Sequence, residues 1–117
     1  METKFTHAIA FVADMDQAVA FYRDKLGLTL KFASPGWSEF MTGSVTLALH
    51  IATEKNPPGG VELGFTTPDL RGVYAARESL GLAFTEAPRE EHGALLSQIL
   101  GSEGAPVSLS GPAHAAS

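Results

Sequence analysis

The sequence contains no cysteine among its 117 residues. Disulfides, thiolate zinc sites and thiol catalysis are therefore excluded. Without cysteine, the sequence does not indicate whether the protein works in an oxidising or a reducing compartment. No apolar run approaches the roughly 18 residues of a membrane-spanning helix, and the first residues do not resemble a signal peptide, so we expect a cytoplasmic protein. Basic residues are also few, since 8 Lys and Arg stand against 13 Asp and Glu, for a net charge of -5. Neither nucleic acid nor an anionic membrane is an expected partner.

A pattern that occurs twice organises the chain. The stretch from Thr6 to Phe32 reads as strand, capped helix, glycine stop and second strand, and a weaker copy runs from Val61 to Phe84. With the strand-like runs that follow each copy, this predicts one α+β domain made of two tandem βαβββ modules. The predicted divisions are module one at 4–52, a Pro- and Gly-rich linker at 53–60, module two at 61–110 and a frayed tail at 111–117.

The first strand and helix are the clearest part of the pattern. In a strand over residues 5–12, His7, Ile9 and Phe11 share one face. One face of this strand should pack on the helix, and the other face can line a cavity. Asp14 and Gln17 have the spacing of a capping box, and Gly27 is the expected helix stop. The predicted apolar stripe of the helix comprises Met15, Ala18, Val19, Tyr22 and Leu26.

The second copy predicts a weaker helix. Asp69 is the expected cap and Gly81 the expected stop, but Gly72 lies inside the first turn, where glycine costs about 1 kcal/mol relative to alanine. The predicted stripe is Leu70, Val73, Tyr74 and Arg77. The other predicted strands are 28–33, 37–43 and 45–52 in module one, and 82–87, 94–100 and 107–110 in module two, with a loop over 88–93.

The motif from His7 to Gly27 has the form H-x(6)-D-x-x-x-A-x-x-F-Y-x-x-x-L-G. This motif resembles the glyoxalase / bleomycin-resistance / extradiol-dioxygenase superfamily, also called the vicinal oxygen chelate fold, over about residues 5–110. The resemblance implies curled mixed sheets that surround a cavity. It also implies a homodimer that shares two cavities and binds a small oxygenated organic molecule.

Metal enzymes of this superfamily use four matching strand positions. Here those positions carry His7, Ala48, Glu62 and Ser108, so two of the four lack a good ligand. His50, two residues beyond Ala48, could take part only with a shifted geometry. A trio of His7, Glu62 and His50 would suit one divalent ion (Mn, Fe, Ni or Zn) that acts as a Lewis acid on a chelating substrate. Alternatively, each of these side chains has a plain structural role and no metal is bound.

Other residues are candidates for contact with the substrate. The predicted substrate-binding residues are Phe11, Trp37, Met41, Thr66 and Ser108, although the aromatic and methionine side chains could equally be core and Ser108 could face solvent. Glu39, on the face of Trp37 and Met41, is the candidate general base.

Three functional classes stay open at this point. The first is a metal-dependent lyase, isomerase or dioxygenase, indicated by His7 and Glu62 at matching positions of the repeat. The second is a metal-free binding protein that sequesters a small aromatic or drug-like ligand between the halves of a dimer, indicated by Ala48 and Ser108. The third is a degenerate member of the superfamily that serves as a scaffold.

Overall fold

A computed structural model describes residues 2–114. The chain divides into two compact units. The first unit is Thr6–Glu62, and the second comprises the described residues from Leu63 onward together with residues 2–5. Each unit contributes four strands, and each is described below by itself.

The first unit is a four-stranded mixed sheet with a helix on one face. Strand order is β2-β3-β4-β1, in which β1 runs parallel to β4 and the other neighbours are antiparallel. Its elements in chain order are β1 (Lys4–Val12), α1 (Met15–Ala20), a π-helical turn (Phe21–Lys25), β2 (Thr29–Phe32), β3 (Trp37–Met41) and β4 (Thr46–Ile51).

The core of the first unit lies between α1 and the sheet. The carboxylate of Asp14 accepts a hydrogen bond of 3.0 Å from the backbone N–H of Gln17, so the predicted cap of the helix is confirmed. Met15 and Val19 from α1 pack on Phe40 and Leu49 of the sheet. Ala10 and Val12 join this cluster, so the helix covers the alanine and valine face of β1.

One position of the predicted stripe is wrong. Leu26 is 57% exposed, whereas Leu28 packs against the core. The reason is the π-helical turn, in which the N–H of Leu26 bonds to the carbonyl of Phe21 and one extra residue enters the turn. The extra residue rotates Leu26 off the apolar stripe.

The second unit repeats this architecture. Strand order is β5-β8-β7-β6, with β5 parallel to β8 and the others antiparallel. Its core is formed by Leu70, Val73, Leu95 and Leu109. The elements are β5 (Val61–Thr66), α2 (Leu70–Ala75), α3 (Arg77–Leu80), β6 (Phe84–Glu91), β7 (Ala94–Leu100) and β8 (Pro106–Pro112).

The second helix, which was predicted to be the weaker one, is interrupted. It breaks at Ala76 and ends at Gly81, which has the left-handed φ of 72°. Asp69 accepts a hydrogen bond of 3.1 Å from the N–H of Gly72. A Cβ at Gly72 would lie 2.3 Å from Oδ2 of Asp69, so the glycine also makes room for the cap.

Two predictions in module two are wrong. Residues 88–91, predicted as loop, belong to β6, and the connection to β7 is the tight turn His92–Gly93, with φ of 52° and 81°. Charged side chains and Pro88 are tolerated there because β6 is an edge strand with one free side. The tail was expected to fray from residue 111, but β8 continues to Pro112, and the N–H of the buried Ala113 bonds to Gly93. The rest of that tail, 115–117, lies outside the described residues.

Residues 53–60 form the irregular connection that was predicted. Over the part of the chain that the structure describes, no helix is both long enough and apolar enough to cross a bilayer.

Candidate functional site

Most of the predicted site residues of module one fall on one surface. This surface is the face of the first-unit sheet opposite α1, and we call it the helix-distal face. The pairing of β1, β4 and β3 aligns its side chains in three cross-strand rows. The rows are His7–Thr46–Met41, Ile9–Ala48–Glu39 and Phe11–His50–Trp37.

Trp37 and Glu39 are joined on this face. The indole Nε1 donates a hydrogen bond of 2.7 Å to Oε2 of Glu39, and Lys31 Nζ lies 3.6 Å from Oε1. The Glu39 side chain is 14% exposed and that of Lys31 is 56% exposed. A carboxylate on an apolar surface needs such partners, because an unpaired buried charge is costly. Sequence reasoning missed Lys31, although the antiparallel pairing of 28–33 with 37–43 would have placed it near Glu39.

An aromatic cluster occupies the third row. The rings of Phe11 and His50 are 5.4 Å apart, and those of Trp37 and His50 are 5.9 Å apart and nearly perpendicular. Trp37 packs on the buried cluster of Ile9, Phe11 and Ala48. Because Glu39 stands directly opposite Ala48, its hydrogen bond draws the indole toward the row of Ala48.

The two histidines of this face lie apart. His7 pairs in register with Thr46, whereas His50 pairs with Phe11, four residues further along β1. Four residues of parallel strand correspond to about 13 Å. Nδ1 of His7 is 2.9 Å from Oγ1 of Thr6, and Nδ1 of His50 is 2.7 Å from the carbonyl oxygen of Ile51.

The second unit carries the remaining predicted residues. Alternation along β5 places Glu62 and Thr66 on the face of Gly64, and Gly64 pairs with Ser108 on β8. Ser108 pairs in turn with Gln98 on β7, and Gln98 pairs with Glu86 on β6, so this row ends in a carboxylate. Thr66 lines a cavity of about 230 Å³ that is also bounded by Glu2, Lys4, Thr67, Pro68 and Pro112.

Two of the four positions at which metal enzymes of the superfamily carry ligands have no good ligand here. Within residues 2–114, no three His, Asp or Glu side chains are grouped so that they could hold an ion. Ala48 offers only a buried methyl group, and Ser108 offers a neutral hydroxyl. The trio of His7, His50 and Glu62 stays a prediction.

The first unit also has a depression on its α1 side, lined by Met15 and Val19 among others. It has a volume of about 600 Å³ and contains none of the predicted site residues. Arg23 lines it and forms a 2.8 Å ion pair with Asp24. The hydrogen bonds that Arg23 donates to Asp24 lower the pKa of Asp24 and raise the pKa of Arg23. Both side chains are exposed, so the pair contributes little to stability.

Two βαβββ repeats, each with its helices on one face of a mixed sheet, define a class of α+β proteins. Residues 4–106 match the model of the Glyoxalase/Bleomycin resistance protein/Dioxygenase superfamily, and the chain belongs to this superfamily. The predicted α+β, glyoxalase-like fold is thus confirmed. A comparison with curated proteins finds no match.

Solved structures share this fold. Methylmalonyl-CoA epimerase of Streptomyces coelicolor, in complex with 2-nitronate-propionyl-CoA, is 19% identical, with a TM-score of 0.78 and coverage of 100% of this chain and 99% of that one. The epimerase of Mycobacterium tuberculosis is 20% identical, with a TM-score of 0.73 and coverage of 94% and 88%. A superfamily member from Vibrio splendidus is 16% identical, with a TM-score of 0.71 and coverage of 94% and 99%. At these identities the likeness shows the fold.

Proposed function

We propose that this protein binds a small, oxygenated aromatic molecule on the helix-distal face of its first unit, without a resident metal. The observation that carries the proposal is the Trp37 indole, held by Glu39 and packed on the cluster that contains Ala48. The face combines apolar and aromatic side chains with a few polar groups in defined positions, which is typical of small-molecule sites.

The residue at position 48 supports the metal-free form of this proposal. Ala48 is completely buried, and Trp37 packs on the cluster to which it belongs. A carboxylate, amide or imidazole at this position would need the space that the indole now takes. The alanine therefore favours an aromatic contact surface at the place where metal enzymes of the superfamily carry a ligand.

The test uses Trp37, which is the only tryptophan of the chain. A library of small phenols, quinones and aromatic acids is screened by intrinsic fluorescence, and hits are measured by calorimetry. We expect hits to change the emission of Trp37 and to bind at least tenfold more weakly to Trp37→Leu. The matched control is Phe21→Leu, because Phe21 is an exposed aromatic outside this face. Equal affinities of a hit for Trp37→Leu and Phe21→Leu would mean that its binding site does not include Trp37.

A divalent-metal enzyme is the second candidate. It is supported by His7 and Glu62, which occupy the same position in the two copies of the repeat and are both half-buried. Metal content of untagged protein purified without chelator tests it, together with thermal shifts on adding Mn, Ni or Zn. Stoichiometric metal that is lost in His7→Ala and Glu62→Gln, but kept in the surface control His92→Asn, would replace the metal-free proposal.

We also propose that the chain forms a homodimer. Exposed apolar side chains support this, among them Met41 at 61% and Val61 at 65% exposure. Light scattering coupled to size exclusion measures the mass directly. A mass of about 12.3 kDa at micromolar concentration would exclude a stable dimer.

A further inference from the structure

His50 has one ring nitrogen committed to the backbone and one that is open. Its Nδ1 lies 2.7 Å from the carbonyl oxygen of Ile51. A carbonyl oxygen can only accept a hydrogen bond, so Nδ1 must carry the hydrogen. In the neutral ring, Nε2 is then left with a lone pair and acts as an acceptor.

The second nitrogen is accessible. Among residues 2–114, His50 has no other hydrogen bond, and no buried side-chain nitrogen or oxygen lacks a partner. Since His50 is only half-buried and Nε2 is unpaired, Nε2 must reach the protein surface. The imidazole is also fixed by its neighbours, because the rings of Phe11 and Trp37 contact it.

The ring N–H groups of Trp37 and His50 are both occupied. The indole N–H of Trp37 is used by Glu39, and the N–H of His50 is used by Ile51. The indole of Trp37 and the imidazole of His50 therefore offer a ligand one hydrogen-bond acceptor, Nε2 of His50, and no free N–H donor. A ligand that lies against these rings gains most if it brings a donor of its own.

The geometry points to His50 as the residue that selects the ligand, through a hydrogen bond from a ligand hydroxyl to Nε2. This inference rests on the proposed function and names the ligand class: aromatic molecules with a free hydroxyl, such as phenols, in preference to their methyl ethers. The ether has the same ring but no O–H to donate. Losing one net hydrogen bond of this kind corresponds to about tenfold in affinity.

The experiment compares phenol with anisole on the intact protein. Binding is followed by NMR through the single indole N–H signal, which belongs to Trp37. We expect phenol to bind about tenfold more tightly than anisole. Long-range ¹H–¹⁵N spectra of the wild-type protein report the tautomer independently, and we expect the hydrogen on Nδ1 of His50.

Two variants separate a selecting role from a structural one. His50→Gln places its amide oxygen near the position of Nε2 and should keep a preference for phenol. His50→Asn places its amide near Nδ1, so it keeps the contact with Ile51 but should bind the two compounds equally. A merely structural role of His50 predicts that the ratio of the phenol and anisole affinities is the same in the two variants, whatever their stabilities.

The outcomes distinguish the two proposals. Equal binding of phenol and anisole to the wild-type protein, or a hydrogen on Nε2 in the spectra, overturns the role of His50 and leaves the binding function standing. Absence of any shift with either compound counts against both. A preference for phenol that survives in His50→Asn also overturns the role of His50.

Discussion

Trp37 and Glu39, two residues apart on β3, are joined by a hydrogen bond of 2.7 Å from the indole nitrogen to the carboxylate. Glu39 stands directly opposite Ala48 on β4, so the bond holds the indole near the row that contains the smallest side chain of the face. Ala48 belongs to the buried cluster on which Trp37 packs. An alanine admits the indole, whereas a metal-ligating side chain would compete with it.

Enlarging Ala48 tests this relationship. Ala48→Gln forces a long polar side chain into a fully buried position, and we expect a loss of about 1–3 kcal/mol in the free energy of unfolding, with a red shift of Trp37 emission. Thr46→Gln is the control, because Thr46 lies on the same face of the same strand but is only half-buried. Equal unfolding free energies for the two variants, measured by urea denaturation, would contradict the packing described here.

Gly72 and Asp69 should show strong coupling. Alanine in place of a helical glycine ordinarily stabilises by about 1 kcal/mol, but a Cβ at residue 72 would lie 2.3 Å from the capping carboxylate. We therefore expect Gly72→Ala to give no gain in the wild-type background and a gain of about 1 kcal/mol in an Asp69→Ala background. A double-mutant cycle from urea denaturation measures the coupling. Equal effects of Gly72→Ala in both backgrounds would show that the cap is not engaged.

The exposure of Leu26 can be checked against the core. Leu26→Ala should change the free energy of unfolding by less than about 0.5 kcal/mol, because the π-helical turn leaves the side chain in solvent. Leu49→Ala, at a completely buried position, should cost about 2–5 kcal/mol. A large loss for Leu26→Ala would mean that the helix is regular and that the predicted stripe was right after all.

Much of the local structure could be predicted because its causes are local. The caps at Asp14 and Asp69 and the stop at Gly81 depend on a few neighbouring residues. Alternation alone places His7, Ile9 and Phe11 on one face of β1.

The wrong predictions share a different origin. Residues 88–91 read as loop because they are charged and contain Pro88, but an edge strand needs hydrogen bonds on one side only. Leu26 was placed on the stripe by a regular helical period, which one extra residue in the turn displaces. The first error comes from strand pairing, which supplies the hydrogen bonds that the local composition does not suggest, and the second from a change of helical period within one turn.

By itself, the amino-acid sequence determined the repeat, the order of the elements, most of their ends and the residues able to carry chemistry, because these follow from periodicity and side-chain type. Only the tertiary structure decided which of those residues meet. The parallel register of β1 and β4 sets His50 four residues away from His7 and beside Phe11, and the register of β3 brings Trp37 to the same row. The register of β3 on β4 follows from the short turn between them, whereas that of β1 on β4 joins segments about 40 residues apart, and no local pattern encodes it.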